Sequence, residues 1–301
     1  MEVMFVCTGN TCRSPMAAGL FAMRYPEINV SSAGIAAWPG SPASSNAVAA
    51  AIDFGADIAA HRARQATPEL LAQADFVVCM AAGHARAIAP HLPHEKLRVL
   101  AGGIADPYGG DLEAYRACAR RIDKALPALL PDLLCEAAIV PAQEAHLPAL
   151  AELERIAFSP PASEAKLREK FELEHNHMLT ALLHGAPHNH PGAAAPPLPG
   201  GELGACVAGF LGVDEIAGEA FVDDLAVFPQ YRRQGVASAL LARAEAGAIL
   251  RGCEKIHLEC REGNAGALRL YEARGYKRVG RRKNFYEKPK EDAILMTMEV
   301  V

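Results

Sequence analysis

The first 135 residues alternate short apolar runs with stretches of helical periodicity. Residues 2–6 read as a buried strand, and residues 15–25 as a helix with Ser14 at its cap and Pro15 in the first turn. A second strand is expected at 28–32, and a helix at 43–54 that stops at Gly55. Thr67-Pro68-Glu69 opens another helix, strands follow at 76–80 and 97–100, and a long helix is expected from 111 to about 134. This alternation predicts an α/β domain, a parallel four-stranded sheet with helices on both faces. Ligands of such a sheet sit beyond the strand carboxyl ends. Two loops leave strands at that edge, residues 7–14 and 101–110.

A different pattern begins near residue 137. A short strand at 139–142 is followed by helices at 143–157 and 162–174 and a strand at 177–183. Strand patterns return at 204–213 and 219–227, then a helix at 236–250, a strand at 255–260, a helix at 265–274 and a last strand at 293–300. Strands that precede the helices predict an α+β domain with a mixed, mostly antiparallel sheet. The two halves share no repeat, so the domains are expected at 1–136 and 137–301. Residues 184–201, rich in Pro, Gly, Ala and His, read as a flexible insertion that cannot bury enough surface to order itself.

Composition narrows the class. The chain has 301 residues, 51% of them apolar, and a net charge of −5, which suits a globular protein and gives no broad electrostatic reason for nucleic-acid binding. The eight cysteines stand in apolar stretches rather than at framework spacings and read as reduced thiols. No signal-peptide pattern opens the chain, and no apolar run reaches the roughly 18 residues of a membrane span. The expectation is a cytoplasmic protein without membrane or nucleic-acid partners.

Residues 7–14, Cys-Thr-Gly-Asn-Thr-Cys-Arg-Ser, join a strand to a helix. The amides of Thr8, Gly9, Asn10, Thr11 and Cys12 can line a phosphate cradle, the helix start adds positive potential, and Arg13 can grip two phosphate oxygens. Such a cradle favours a thiolate, the form of cysteine that attacks. A thiolate phosphatase also needs an acid for its leaving group and a base for water. Asp106, in Asp106-Pro107-Tyr108-Gly109-Gly110, is the candidate.

With these residues in order, the first 135 positions resemble a low-molecular-weight protein tyrosine phosphatase. The resemblance implies Cys7 as nucleophile, Arg13 as phosphate clamp and Asp106 as general acid. It implies that Asn10 holds the loop shape and that Ser14 donates a hydrogen bond to the nucleophile. Cys12 would be either a neighbouring thiol able to form a protective disulfide with Cys7 or a small buried residue. Thr11 and the Gly109-Gly110 pair resemble the protein-arginine-phosphatase branch, whereas tyrosine-specific members often carry an aliphatic residue at position 11. A hydroxyl there can meet a guanidinium, so phosphoarginine is expected ahead of phosphotyrosine. Arsenate reduction on the same scaffold needs relay cysteines, and none follows Cys79 in suitable pairs.

A second strand–loop–helix cradle lies at Leu225-Ala226-Val227 and Arg232-Arg233-Gln234-Gly235-Val236-Ala237. Gly235 and the small Ala237 allow close backbone approach to a pyrophosphate. This segment resembles the acetyl-CoA motif of GNAT acetyltransferases, which implies acetyl-CoA as cofactor and a GNAT fold. His257-Leu258-Glu259-Cys260-Arg261, Asn264-Ala265-Gly266-Ala267, Leu270-Tyr271-Glu272 and Arg281-Arg282-Lys283-Asn284-Phe285-Tyr286 resemble the ribosomal-protein alanine N-acetyltransferase branch. By that resemblance Glu259 is the base, Tyr271 the acid, Asn264 a cofactor contact, and the amides of Leu225 and Val227 hold the thioester and pantetheine. The partners implied are a phosphorylated protein and a protein N-terminus, with a ribosomal protein as one possibility. The histidines at 175, 177, 184, 188 and 190 lack a fixed ligand spacing, and no metal site is expected. The expectation is a fusion of two enzymes, with one domain acting only as a binding module as the alternative.

Overall fold

The computed structural model describes residues 1–184 and 205–301. Most of the expected insertion at 184–201, with His188 and His190, lies outside the described residues.

Strand β1 (Glu2–Cys7) is an almost fully buried apolar run and forms the middle of the first sheet. It leads through a tight loop into α1 (Arg13–Arg24), then β2 (Asn29–Gly34) and α2 (Ser45–Ile52). Helix α3 (Pro68–Ala72), β3 (Phe76–Cys79), α4 (Ala82–Ile88) and β4 (Leu97–Val99) follow, then α5 (Leu112–Ala125) and α6 (Leu130–Leu133). The sheet order is β2-β1-β3-β4, and every pair is parallel, the pairing the alternation predicts. Helix starts are fixed by side-chain caps, each accepting from an amide three residues on: Ser44 at 3.3 Å, Thr67 at 3.3 Å and Asp111 at 2.9 Å.

The expected helix at 111–134 is not continuous. Pro127 and Pro131 supply no N–H to an i−4 carbonyl. The chain passes instead through a 3-10 turn at Leu126–Ala128 before α6. Helix α4, absent from the sequence expectation, starts three residues beyond β3 at the carboxyl edge of the sheet.

The second sheet is built from β5 (Ala138–Pro141), α7 (Leu147–Ala157), α8 (Glu164–Phe171), β6 (Asn176–His184), β7 (Ala205–Ile216) and β8 (Glu219–Val227). It is completed by α9 (Val236–Leu250), β9 (Lys255–Arg261), α10 (Ala265–Arg274), β10 (Lys277–Glu287) and β11 (Lys290–Glu299). Its order is β10-β11-β9-β8-β7-β6-β5, and only β8 and β9 run parallel. Strand β10 is a further correction. Its residues are almost all exposed, so no apolar alternation marks it as a strand.

Helix α9 is mostly apolar and has no exposed residue, so it is covered all round, its Glu245 paired with Arg274. One side packs under the second sheet with Leu240, Leu241 and Ala244. Ile249 belongs instead to the core of the first sheet, beside Met4, Val77, Ala85 and Ile88. Arg86 donates to Ile249 O at 3.2 Å, and Ser238 Oγ to Ala128 O at 3.5 Å. Val301 closes the seam, its carbonyl accepting from Ala82 N–H at 2.7 Å and its N–H donating to Gly102 O at 2.8 Å.

Candidate active sites

The Cys7 loop turns sharply because Asn10 adopts φ +55° and Gly34 lets β2 pass close beneath it. A Cβ on Gly34 would stand 2.5 Å from Thr8 O and 2.8 Å from Asn10 N. Asn10, fully buried, ties the loop together. Its Nδ2 donates to Ser14 Oγ and Ser32 Oγ at 2.9 Å, and its Oδ1 accepts from Arg64 N–H at 2.9 Å. His61 Nε2 meets Asn10 O at 2.7 Å, which requires the proton on Nε2, and burial lowers the His61 pKa.

Ser14 Oγ lies 3.0 Å from Cys7 Sγ. Because it already accepts from Asn10, its own proton is available to the sulfur or to Ala33 O, 3.3 Å away. Arg13 is 5% exposed and donates to Ile104 O at 3.1 Å and to Thr8 Oγ1 at 3.4 Å. It also pairs with Asp106, so the loop of the second strand edge folds onto the cradle. Gly9 and Thr11 sit at the rim, with Thr11 Oγ1 3.7 Å from Cys12 Sγ. Cys12 is buried between Ser44 Oγ at 3.5 Å and Tyr115 OH at 3.4 Å, and all eight cysteines are free thiols. Trp38 and Tyr108 stand exposed.

Sequence reasoning missed His84. Its Nε2 lies 2.9 Å from Thr8 Oγ1, its Nδ1 is buried with no partner among the described residues, and burial beside Arg13 lowers its pKa to about 4. The signal was its place, directly past β3 at the same sheet edge as Cys7 and Asp106.

In the second sheet, β8 and β9 pair only as far as Val222 and Leu258, and beyond that they diverge. Phe228 N–H donates to Ala208 O at 2.9 Å, so the alternate amides of Leu225 and Val227 point away from β7 into the opening, while that of Ala226 faces β7. Gly235, at φ +82°, caps α9, and Arg233 is held at φ +64°. Arg232 Nε donates to Val227 O at 3.0 Å and Gln234 Nε2 to Gln230 O at 2.9 Å, which fold the loop over the strand end. The first amides of α9, from Val236 and Ala237, have no intrahelical acceptor. An open strand edge beside a left-handed glycine and a helix N-terminus fits the pantetheine and pyrophosphate of coenzyme A.

Glu259 lines the β9 side of this opening, 29% exposed, with Arg282 Nη1 at 2.7 Å. Tyr271 is buried on α10 near Cys260 and Tyr286, and burial raises its pKa, keeping the hydroxyl protonated. Tyr286 lies under the guanidinium of Arg261 at 4.0 Å, and burial, reinforced by Cys260 and Glu259, pushes its pKa up to about 12. Asn264 Oδ1 accepts from Ala267 N–H at 3.1 Å and caps α10. His146, His175 and the other described histidines join no metal cluster among the described residues.

Comparison with known proteins follows the same division. Residues 2–139 match the family model described as low molecular weight phosphotyrosine protein phosphatase. A protein-arginine-phosphatase of Geobacillus stearothermophilus is 38% identical over 145 residues, which is 45% of this chain and 97% of that protein. The chain belongs to the low molecular weight phosphotyrosine protein phosphatase family. A low molecular weight protein-tyrosine-phosphatase of Streptomyces coelicolor is 35% identical over 152 residues, 43% of this chain and 91% of that protein. Residues 147–276 match the acetyltransferase (GNAT) family. The solved ribosomal-protein-S18-alanine N-acetyltransferase from Escherichia coli is 27% identical, covering 55% of this chain and 94% of that one, with a TM-score of 0.43. The chain is therefore an enzyme in which a phosphatase domain is joined to a GNAT domain, and the GNAT domain implies use of acetyl-CoA.

Proposed function

We propose that the chain is bifunctional, with residues 1–136 a protein phosphatase acting through a phosphocysteine and residues 137–301 a protein N-terminal N-acetyltransferase. The observation that carries the first activity is the Asn10–Ser14–Cys7 chain of contacts at 2.9 and 3.0 Å beneath Arg13 and Asp106. The Cys7 thiolate attacks phosphorus, the bond to the leaving nitrogen or oxygen breaks, and Asp106 gives that atom its proton. Asp106 then takes a proton from water, which attacks phosphorus, and phosphate leaves as the Cys7 thiolate is restored. Arrival of a phosphoryl group gives Arg13 a stronger anion than Asp106 and releases the carboxyl for this work.

Phosphoarginine is the favoured substrate. The support is Thr11, whose hydroxyl stands at the rim within reach of a guanidinium, together with the similarity to proteins named protein-arginine-phosphatase. A substrate panel tests it. The isolated activity should hydrolyse phosphoarginine peptides faster than phosphotyrosine peptides, and Thr11→Ile should move the preference towards phosphotyrosine. Rapid hydrolysis of phosphotyrosine with no turnover of phosphoarginine would reject it. Cys7→Ser should abolish turnover and leave acetyl-CoA binding intact.

For the second domain, Leu225, Val227, Arg232–Ala237 and Asn264 would hold the cofactor, which supplies an activated acetyl thioester. Glu259 receives the proton of the acceptor ammonium, directly or through water, once the acceptor displaces Arg282. Tyr271 holds a proton on its hydroxyl and acts as the donor. An alanine-started chain, such as that of a ribosomal protein, is the proposed acceptor, and the proposed compartment is the cytoplasm. Unaltered acetylation of an alanine-started peptide by Tyr271→Phe would remove the acid assignment.

A further inference from the structure

A group of carboxylates beside the acetyltransferase opening has no part in the chemistry above. Asp214 on β7, Asp223 and Asp224 on β8 and Glu154 on α7 gather around Lys170 of α8. Lys170 Nζ lies 2.7 Å from Asp224 and 3.4 Å from Asp223. Asn176 Nδ2 donates to Asp214 Oδ1 at 2.7 Å, and Glu154 Oε2 accepts from Ala162 N–H at 2.9 Å.

The group borders the reaction site. Asp224 directly precedes Leu225, whose amide faces the opening. Ala226, two residues on, packs with α7, so Asp224 fronts that face of the sheet. On the opposite lip, Leu258 and Cys260 pack on the α9 side. Glu259 lies between them and therefore fronts the same face as Asp224.

Two features of this group call for a further cation. First, two buried acceptors have no donor among the described residues, Glu154 Oε1 and Asn176 Oδ1, and Glu154 is 2% exposed. The Glu154 carboxylate shares its surroundings with Asp224 and Lys170. Second, Lys170 is the one ammonium paired with these carboxylates among the described residues, while Asp214 and Asp223 hydrogen-bond each other and Lys166 and His175 lie farther out. Burial, reinforced by neighbouring carboxylates, pushes both Glu154 and Asp223 up to about 7. A ligand with positive charge and several N–H donors would correct both defects. Asp223 and Asp224 side chains are 33% and 20% exposed, so the group is open to solvent.

We propose that Asp223, Asp224 and Glu154 bind the primary ammonium of the acetyl acceptor, and that Lys170 occupies their charge until the acceptor displaces it. The inference rests on reading the second domain as an acetyltransferase of primary amines. The bound ammonium is delivered beside Glu259, which then takes its proton.

The test uses the full chain and three probes: a lysine-free peptide beginning with alanine, its N-acetylated form, and an N-acetylated peptide carrying one lysine. Calorimetric titration without acetyl-CoA measures binding, and steady-state acetylation measures KM for each substrate. The free-amine peptide should bind and its acetylated form should not. Binding of the lysine peptide instead would identify a side-chain ammonium as the source. Asp224→Asn should weaken binding roughly tenfold, with the acetyl-CoA KM unchanged. Lys170→Met should tighten it about twofold to fivefold. If Asp224→Asn does not fold, the more exposed Asp223→Asn takes its place. Unchanged affinity in the aspartate variants, or weakening by Lys170→Met as well, would overturn the proposal, since a purely structural ion pair moves both the same way. Loss of binding in a chain that acetylates no peptide would instead retain the ammonium site and reject the reaction.

Discussion

Gly235, at the head of the coenzyme A loop, lies against the carbonyl of Pro131 in the phosphatase domain, and a Cβ there would overlap that oxygen. The same glycine sits at φ +82°, a conformation that L side chains rarely adopt. The pyrophosphate cradle of one enzyme is thus packed against the last helix of the other.

Gly235→Ala should be costly on both grounds. Steric overlap and backbone strain together should lower stability by about 1–3 kcal/mol, read from urea unfolding. The acetyl-CoA KM should rise while the phosphatase kcat at low denaturant is retained. An unchanged unfolding midpoint would show that the α6–α9 contact yields without cost.

Ile249 tests whether α9 is a shared core. It stands on a helix of the GNAT domain but is fully buried in the apolar cluster of the first sheet. Truncation to alanine should cost about 2–4 kcal/mol. Both activities should be lost together on heating, in the variant as in the parent. Separate melting of the phosphatase and acetyltransferase activities would contradict a common core.

Ser14→Ala removes the hydroxyl that lies 3.0 Å from Cys7 Sγ and leaves Asn10 Nδ2 with one acceptor fewer. The phosphatase kcat should fall by roughly tenfold to a hundredfold with acetylation unaffected. The fall should appear in the burst of phosphocysteine formation. A full-size burst at the parental rate would place Ser14 outside the nucleophile's support.

His84 gives a pH dependence with a definite sign. Burial beside Arg13 lowers its pKa from 6.5 to about 4, so the unfolded chain binds the proton first as pH falls. Its contribution to stability is complete above about 6.5 and is lost progressively towards pH 4. The stability difference between the parent and His84→Gln should therefore rise with pH across that window. A flat difference would mean that the imidazole is not held neutral in the folded state.

Both cradles are legible in the sequence, because each is made by contiguous backbone. A strand, a turn with Gly9 and Asn10 or with Gly235, and a helix start are local features, and local periodicity and turn chemistry reveal them. The parallel pairing of the first four strands followed from the same alternation, whereas their order, β2-β1-β3-β4, did not. Less local features escaped. The helix expected at 111–134 breaks at Pro127 and Pro131, and β10 is too exposed to carry an apolar alternation.

What the sequence determined by itself was the pair of anion-binding loops, the fold class around each and the residue types that bear the chemistry. Only the tertiary structure decided which side chains meet. It laid Asp106 on Arg13, brought His84 from behind β3 to Thr8, set four carboxylates around Lys170 and enclosed α9 between two sheets. These contacts join residues far apart in the chain, so their energies depend on burial and proximity that no local pattern encodes.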